Sequence, residues 1–288
     1  MKVLSYGEIL WDVYPEKVLI GGAIFNCAAH LSRLGAKSYL MSSIGDDSLG
    51  VQTYAYLEKY GIKTDYITKS SKRSGQCKVS FDENQVPAYD ILADTALDDI
   101  RADIDKEQSF DAICFGSLAQ RGEKNLNKLK GLLDSVAFSE KFCDINIRKP
   151  FYSDDVIGFC LENATVMKIS REEMPVIKRA VKADESLDHI EFSKYLSNRF
   201  KNLKVIIITL AKGFIISTIK QIFDCKEKKE HFKAALKVKT VSSVGAGDSF
   251  SAAFLYNYLK NEPIDKCLEE AVKLSAFVVT RVETVPEY

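Results

Sequence analysis

The chain has 288 residues, and its forty basic side chains are balanced by forty acidic ones, so the formal net charge is zero. A chain of this length can bury a substantial core, and its neutrality excludes a global field that would attract nucleic acid or a membrane surface. We predict a single domain over residues 1–288 with small molecules as partners, because no linker, internal repeat or low-complexity tract divides the sequence.

The N-terminus and the cysteines indicate a cytoplasmic protein. The opening run MKVLSYGEIL passes directly into a strand-like pattern and lacks the long apolar segment and cleavage site of a signal peptide. The seven cysteines are scattered and form no CxxC pair, which favours a reduced interior over a disulfide framework or a zinc site. The three histidines are far apart in the sequence, and we assign them no chemical role.

Strand-like and helix-like segments alternate along the chain. Apolar runs rich in β-formers recur as KVLSYGEIL, KSYLMSSIG, DAICFGSLA, KFCDINI, ATVMKIS and KVIIITLA. Helical patterns separate most of them, and in one of these Leu126, Leu129, Leu133 and Val136 share a face. The alternation predicts a mainly parallel sheet with helices on both sides, and such sheets bind ligands at the carboxyl ends of their strands.

One segment departs from this rhythm. From Gly75 to Leu92, polar and apolar residues alternate around the turn-forming Asp82-Glu83-Asn84, which predicts a two-stranded hairpin. The hairpin is either an ordinary sheet edge or a flap that closes over a site and excludes water.

Polar side chains occur where buried strands end. Asp12 follows GEILW and is either a turn residue or a ligand, and Asn26 is either a helix cap or a ligand. In DINIRKP, Asn146 and Arg148 alternate with isoleucines and so point to one face of the strand. The Arg148 guanidinium suits either a structural ion pair or a sugar oxygen, carboxylate or phosphate.

The stretch VGAGDSFSAAFL places small residues and an acid at a helix start. Asp248 is either a helix cap or a base held beside an anion that the backbone of Gly245, Ala246 and Gly247 approaches closely.

The complete set of motifs resembles the ribokinase-like (PfkB) family of carbohydrate kinases over essentially the whole chain. GGAIFNCAAHLSRLG with SIGDDSLG is similar to the family's N-terminal signature, and VGAGDSFSAAFL is similar to its C-terminal one. GEILWDVYP, FDENQVPAYDI, FGSLAQR and DINIRKPFY resemble fructokinase-type members. The resemblance implies a three-layer αβα Rossmann-like domain with a small β-clasp lid built from segments near 12–20 and 75–92. It also implies ATP as phosphate donor, Mg²⁺ and a homodimer formed through the lid.

The same resemblance implies roles for individual residues. Asp248 would be the general base, and the N–H groups of Gly245, Ala246 and Gly247 would form an anion hole for the phosphoryl group. Glu173 would organise the magnesium ion through water. The sugar would be bound by Asp12, Gly21, Gly22, Asn26, Asn146 and Arg148, and the nucleotide by Lys168, Ser170, Thr209, Gly213 and Gly247.

Four departures from the family pattern lie on the nucleotide side. Ser242-Ser243 stand where the family usually has Asp-Thr, and Ser170 stands in place of an asparagine. TLAKG is shorter than the usual motif, and the tail VVTRVETVPEY lacks a Gly-Ala pair. Because the missing aspartate commonly helps to hold a monovalent cation, potassium activation is doubtful.

The leading hypothesis from the sequence is an ATP-dependent fructokinase. A 2-keto-3-deoxygluconate kinase is the second, because Arg148 can pair with a sugar-acid carboxylate. The third is a sugar-binding regulator with a decayed nucleotide site, which the four departures favour and the intact Gly245–Asp248 loop opposes.

Overall fold

A computed structural model describes residues 1–81, 87–212, 215–225 and 229–288 of the chain. The strands within these residues are β1 (Lys2–Tyr6), β2 (Leu10–Val13), β3 (Val18–Gly21), β4 (Lys37–Gly45), β5 (Ile67–Ser70), β6 (Gln76–Phe81), β7 (Pro87–Ile91), β8 (Ser109–Phe115), β9 (Ala137–Asp144), β10 (Val166–Ser170), β11 (Val205–Lys212), β12 (Ile215–Asp224) and β13 (Lys229–Ala234). The helices are α1 (Ala23–Arg33), α2 (Ser48–Lys59), α3 (Glu123–Ser135), α4 (Asp154–Asn163), α5 (Met174–Ala180), α6 (His189–Arg199), α7 (Ala246–Leu259) and α8 (Ile264–Val278), with short 3₁₀ helices at Ala96–Asp98 and Leu118–Arg121.

The larger sheet confirms the predicted parallel architecture. Its order is β13-β12-β11-β10-β9-β8-β1-β4-β5, and neighbouring strands from β11 to β5 run parallel. The antiparallel edge formed by β12 and β13 was not predicted. The first strand sits in the interior of the sheet, since Tyr6 is in register with both Met41 and Phe115.

Helices cover both faces of this sheet. Phe250 and Phe254 of α7 belong to a buried cluster with Val3 of β1, whereas Leu129 of α3 belongs to a second cluster with Leu4 of the same strand. Successive residues of one strand therefore face opposite helical layers, as the pleat requires. The helical face predicted for α3 is confirmed, because its apolar residues are buried or packed against the core.

The predicted hairpin belongs to a second, smaller sheet of order β3-β2-β6-β7. Strands β6 and β7 pair antiparallel from Cys77↔Ile91 to Phe81↔Pro87, and β2 pairs parallel with β6. The predicted turn Asp82-Glu83-Asn84 lies outside the described residues. Trp11 of β2 donates a hydrogen bond to Thr53 of α2 at 3.2 Å, which fixes the small sheet to the body next to Asp12.

All seven cysteines are free thiols, and only Cys225 among them is more than marginally exposed. Among the helices of the described ranges, none combines the length and the apolar character that a bilayer crossing requires.

Candidate functional site

A cavity of about 430 Å³ lies at the carboxyl ends of the central strands, between the two sheets. Asp144 ends β9 and Lys168 lies on β10, while the small sheet contributes Asp12 and Tyr89 from the opposite side. Nine of the predicted site residues line this cavity: Asp12, Gly22, Asn26, Asn146, Arg148, Lys168, Gly245, Gly247 and Asp248. The structure thus brings together residues that are up to 236 positions apart in the chain, as from Asp12 to Asp248.

Gly245 forms the turn from which α7 starts. Its φ of +82° is left-handed, and a Cβ there would lie 2.9 Å from the carbonyl oxygen of Thr284, so only glycine fits. Within the part of the chain that the structure describes, the N–H groups of Gly245 and Gly247 have no acceptor, whereas that of Ala246 makes a long turn bond to Ser243 O at 3.4 Å. Two of the three predicted donors are therefore free to bind an anion.

The Asp248 side chain does not cap the helix. It is the third residue of α7, no side-chain cap bond is made there, and its Oδ2 accepts a hydrogen bond of 2.8 Å from Asn26 Nδ2. Burial raises the pKa of Asp248 to about 6, against the opposing effects of Asn26, Lys168 and Arg148, and the nearby Asp144 carboxylate adds to the rise. A carboxylate that titrates near neutrality is suited to take a proton.

Lys168 places a positive charge at the first turn of α7. Its Nζ lies 3.5 Å from the position that a Cβ would occupy on Gly247, and it pairs with Asp144 Oδ2 at 2.5 Å. Ser251 Oγ lies 2.9 Å from the same carboxylate oxygen and 2.9 Å from the Gly247 carbonyl. Burial opposes the charged form of Lys168, but the pKa is raised because the carboxylates of Asp144, Glu173 and Asp248 outweigh it.

Glu173 is engaged with the backbone. Its two carboxyl oxygens accept hydrogen bonds from the N–H groups of Ile147 at 2.6 Å and Ser170 at 2.7 Å, and burial raises its pKa. Over the described residues, no cluster of three or more His, Cys, Asp or Glu side chains has the arrangement of a metal cage. Both oxygens of Glu173 are thus engaged and Glu173 does not line the cavity, so a magnesium ion there would be held mainly by water and nucleotide phosphates.

Ser170 and Thr209 lie together but do not line the cavity. They are register partners on β10 and β11, and the N–H of Arg171 donates to Thr209 O at 2.9 Å. The remaining predicted nucleotide residue, Gly213, lies outside the described residues.

Around the predicted sugar-binding residues, two glycines allow close approach of the chain to Asp12 and to the backbone of Glu8. A Cβ on Gly21 would lie 3.0 Å from Asp12 Oδ2, and Gly22 has φ +107° with a Cβ position 2.8 Å from Glu8 O. Gly21 itself does not line the cavity. Burial raises the pKa of Asp12 to about 6, against the Arg148 charge.

Three further residues at the site were not predicted from the sequence: Glu8, Asp144 and Ser251. Glu8 is buried, and its Oε1 accepts a 3.3 Å hydrogen bond from Ile24 N–H at the start of α1, while its Oε2 has no partner among the described residues. Burial raises the pKa of Glu8 to about 7. An acid two residues after β1 was the available signal. Asp12, which was predicted to follow a strand, lies within β2 instead.

Comparison with known proteins gives one family. The model of the pfkB family of carbohydrate kinases matches residues 13–287 of the chain. Fructokinase-2 of Oryza sativa subsp. japonica is 25% identical, with 99% of this chain and 90% of that protein covered.

Solved structures share the fold at lower identity. A 2-dehydro-3-deoxygluconokinase from Thermotoga maritima has a TM-score of 0.81 at 23% identity, covering 99% of this chain and 95% of that one. A fructokinase with bound ATP from Xylella fastidiosa has a TM-score of 0.78 at 18% identity, covering 99% and 94%.

Proposed function

This chain belongs to the pfkB family of carbohydrate kinases and is an ATP-dependent sugar kinase, and we propose that its acceptor is a neutral ketohexose, with fructose preferred. The observation that carries the proposal is the meeting of a raised-pKa carboxylate, Asp248, with free backbone donors at one wall of a sugar-sized cavity.

In the proposed mechanism, Asp248 accepts the proton of the attacking sugar hydroxyl. Asn26 Nδ2 orients the carboxylate, and the N–H groups of Gly245 and Gly247 hold the transferring phosphoryl oxygens. The Lys168 ammonium beside Gly247 adds fixed positive charge at the same place. Mg²⁺, when bound, neutralises charge on the nucleotide phosphates. Phosphoryl transfer depends on positioning and on charge stabilisation, and in this mechanism these residues supply both.

The charges of the cavity support a neutral sugar over a sugar acid. Four carboxyl side chains line it, and of its three basic side chains Lys168 is already paired with Asp144. The pKa values of Glu8, Asp12 and Asp248 are each raised by burial and held down in part by Arg148, so this cation already serves three acids. A substrate carboxylate would compete with them for the guanidinium, whereas sugar hydroxyls can donate to the acids.

Lid closure and dimer formation through the small sheet are part of the same proposal. The small sheet already supplies Asp12, Cys77, Tyr89 and Ile91 to the cavity wall. Val18 and Leu19 on its edge strand β3 are exposed, which supports pairing with a second copy. The free cysteines support a cytoplasmic location for this single domain over residues 1–288.

A panel of sugars with MgATP, read out as ADP release, tests the proposal. We expect fructose to be phosphorylated with a higher kcat/KM than 2-keto-3-deoxygluconate. A preference for the sugar acid that Arg148→Ala abolishes and the neighbouring Lys149→Ala retains would instead assign the second kinase activity. Sugar binding without ADP release from any substrate would favour the regulator.

A further inference from the structure

One face of α1 reaches both ends of the loop that starts α7. Asn26 and His30 are four residues apart and so lie one above the other on the helix, about 6 Å apart along its axis. Asn26 holds the Asp248 carboxylate at the far end of the loop. His30 is fully buried and contacts the C-terminal segment that packs on Gly245, at the near end.

The hydrogen bonds of His30 define its tautomer. Its Nε2 lies 3.0 Å from the carbonyl oxygen of Thr284, and its Nδ1 lies 2.8 Å from the hydroxyl of Tyr288. Because a carbonyl can only accept, Nε2 carries the proton and Nδ1 accepts from the Tyr288 O–H. The two rings also stack, with centroids 5.9 Å apart. His30 therefore contacts the C-terminal segment at two residues, Thr284 and Tyr288.

The Thr284 carbonyl that His30 hydrogen-bonds is also in contact with Gly245. The position of a Cβ on Gly245 lies 2.9 Å from Thr284 O and 3.2 Å from both Thr284 Cα and Cβ, so the two backbones are in contact. Val285, the next residue, is buried in a cluster with Ile24 and Phe25 of α1, which keeps the segment close to the helix. A displacement of Thr284 would therefore remove the wall behind the left-handed turn.

We propose that His30 is a positioning residue for phosphoryl transfer, which holds the Thr284 carbonyl against Gly245 and so keeps the N–H groups of Gly245 and Gly247 directed at the phosphoryl oxygens. The proposal rests on the kinase function given above. It assigns to α1 the placement of both the base, through Asn26, and the anion hole, through His30. If the contacts of His30 served only to anchor the C-terminal segment, their loss would lower folding stability and leave kcat unchanged. The two possibilities therefore differ in kcat.

Two substitutions and one control test the assignment. His30→Phe removes both hydrogen bonds of the imidazole but keeps an aromatic ring. Tyr288→Phe is a milder change that removes the donor to Nδ1 and the long 3.5 Å contact of the same hydroxyl with His30 O. Ser38→Ala is the matched control, because it deletes a buried hydrogen bond of 2.9 Å to Ala28 O of the same helix without touching the tail.

The readouts are kcat and sugar KM with MgATP, together with the affinities for ADP and for ADP with aluminium fluoride. Since loss of one preorganised donor to a developing oxyanion costs about 10²-fold or more, we expect a partial misplacement in His30→Phe to lower kcat roughly 10-fold with sugar KM within about twofold. The advantage of the fluoroaluminate complex over ADP should shrink by a similar factor, while Ser38→Ala changes neither.

Wild-type kcat in a folded His30→Phe or Tyr288→Phe variant overturns the proposal, as does a loss no larger than that in Ser38→Ala. A His30→Phe chain that fails to fold leaves the decision to Tyr288→Phe, for which we expect a smaller fall in kcat in the same direction. If the wild-type chain phosphorylates no sugar, the proposed function fails instead, and the ratio of the two ADP affinities then decides on His30.

Discussion

Replacing Asp248 by Asn separates the catalytic use of this carboxylate from its effect on folding. The amide has the same shape, and its oxygen can still accept the 2.8 Å hydrogen bond from Asn26, but it cannot take a proton from the sugar hydroxyl. Loss of a positioned general base lowers kcat by about 10²- to 10⁴-fold, with sugar and nucleotide affinity largely retained.

The same substitution should stabilise the folded chain at high pH. Burial raises the pKa of Asp248 from 3.8 to about 6, so ionising this carboxyl costs more free energy in the folded chain than in the unfolded chain. Above pH 6 the group is ionised in both states and therefore lowers the stability of the fold. At 1.36 kcal/mol for each pH unit, the ionised group lowers the free energy of unfolding by about 3 kcal/mol at pH 8. This destabilisation is lost as the pH falls from 6 towards 3.8, because the folded chain then binds the proton first.

We would measure kcat by ADP release and the free energy of unfolding in urea at pH 8 and pH 5. The free energy of unfolding of Asp248→Asn relative to wild type should be roughly 1.5 kcal/mol smaller at pH 5 than at pH 8. The cost of burying the amide NH₂ is the same at both pH values and cancels in this comparison. Asp65→Asn, at an exposed position, serves as the control. Near wild-type turnover would refute Asp248 as the base, and a stability difference that does not change with pH would refute the electrostatic reasoning.

Further predictions concern the groups around Asp248. In a pH profile of kcat/KM, the rising limb should lie near pH 6, where Asp248 ionises. Lys168→Met should move this limb to higher pH, because the Lys168 ammonium lowers the pKa of Asp248 against the effect of burial. A limb that does not move would contradict the electrostatic interaction between the two residues. Gly245→Ala should lower the melting temperature and kcat together, because a Cβ would lie 2.9 Å from Thr284 O at a φ of +82°, and an unchanged melting temperature would show that the turn relaxes. Exchange of K⁺ for tetramethylammonium at constant ionic strength should change the rate little, because Ser242 offers a hydroxyl where the family usually has a carboxylate; saturable activation by K⁺ would refute it.

The fold was predictable where a local pattern determines the partner, and unpredictable where it does not. Parallel strands need long helical crossovers, so the alternation of strands and helices indicated the sheet from β1 to β11. The hairpin over 75–92 was predicted from its own pattern, but its place in a small sheet with the segment near 12–20 was implied by the family resemblance alone, because β6 pairs with β2 about 65 residues earlier. The antiparallel edge of β12 and β13 follows no helix, and the βαβ pattern contains no signal for it.

The candidate site shows the same division. Most residues of the motifs reached one cavity because their motifs lie at the carboxyl edge of the larger sheet, where strands end and helices start. Asp12 instead comes from within β2 of the small sheet. The strand predicted for Asn146 and Arg148 is wrong, because β9 ends at Asp144 and Asn146 has a φ of +44° in the loop that follows. Asp144 and Ser251 were missed because their role depends on a contact across 107 residues, which neither local sequence nor periodicity encodes. Thr284 was missed for a different reason: it acts through its backbone carbonyl, and a carbonyl is present at every position of the chain.

The placement of an acid at the start of α7 can now be explained physically. A helix cap would lie at the residue before the helix and bond to its free N–H groups, yet that residue is Gly245, and the side chain of Asp248 bonds to another helix instead. The carboxylate therefore leaves the N–H groups of Gly245 and Gly247 open, and its own ionisation is made unfavourable by burial and by Asp144. A structural cap would have the opposite properties, because it would satisfy the donors and have a lowered pKa. Buried acids that oppose stability are characteristic of functional sites, and here the base and the anion hole both require that arrangement.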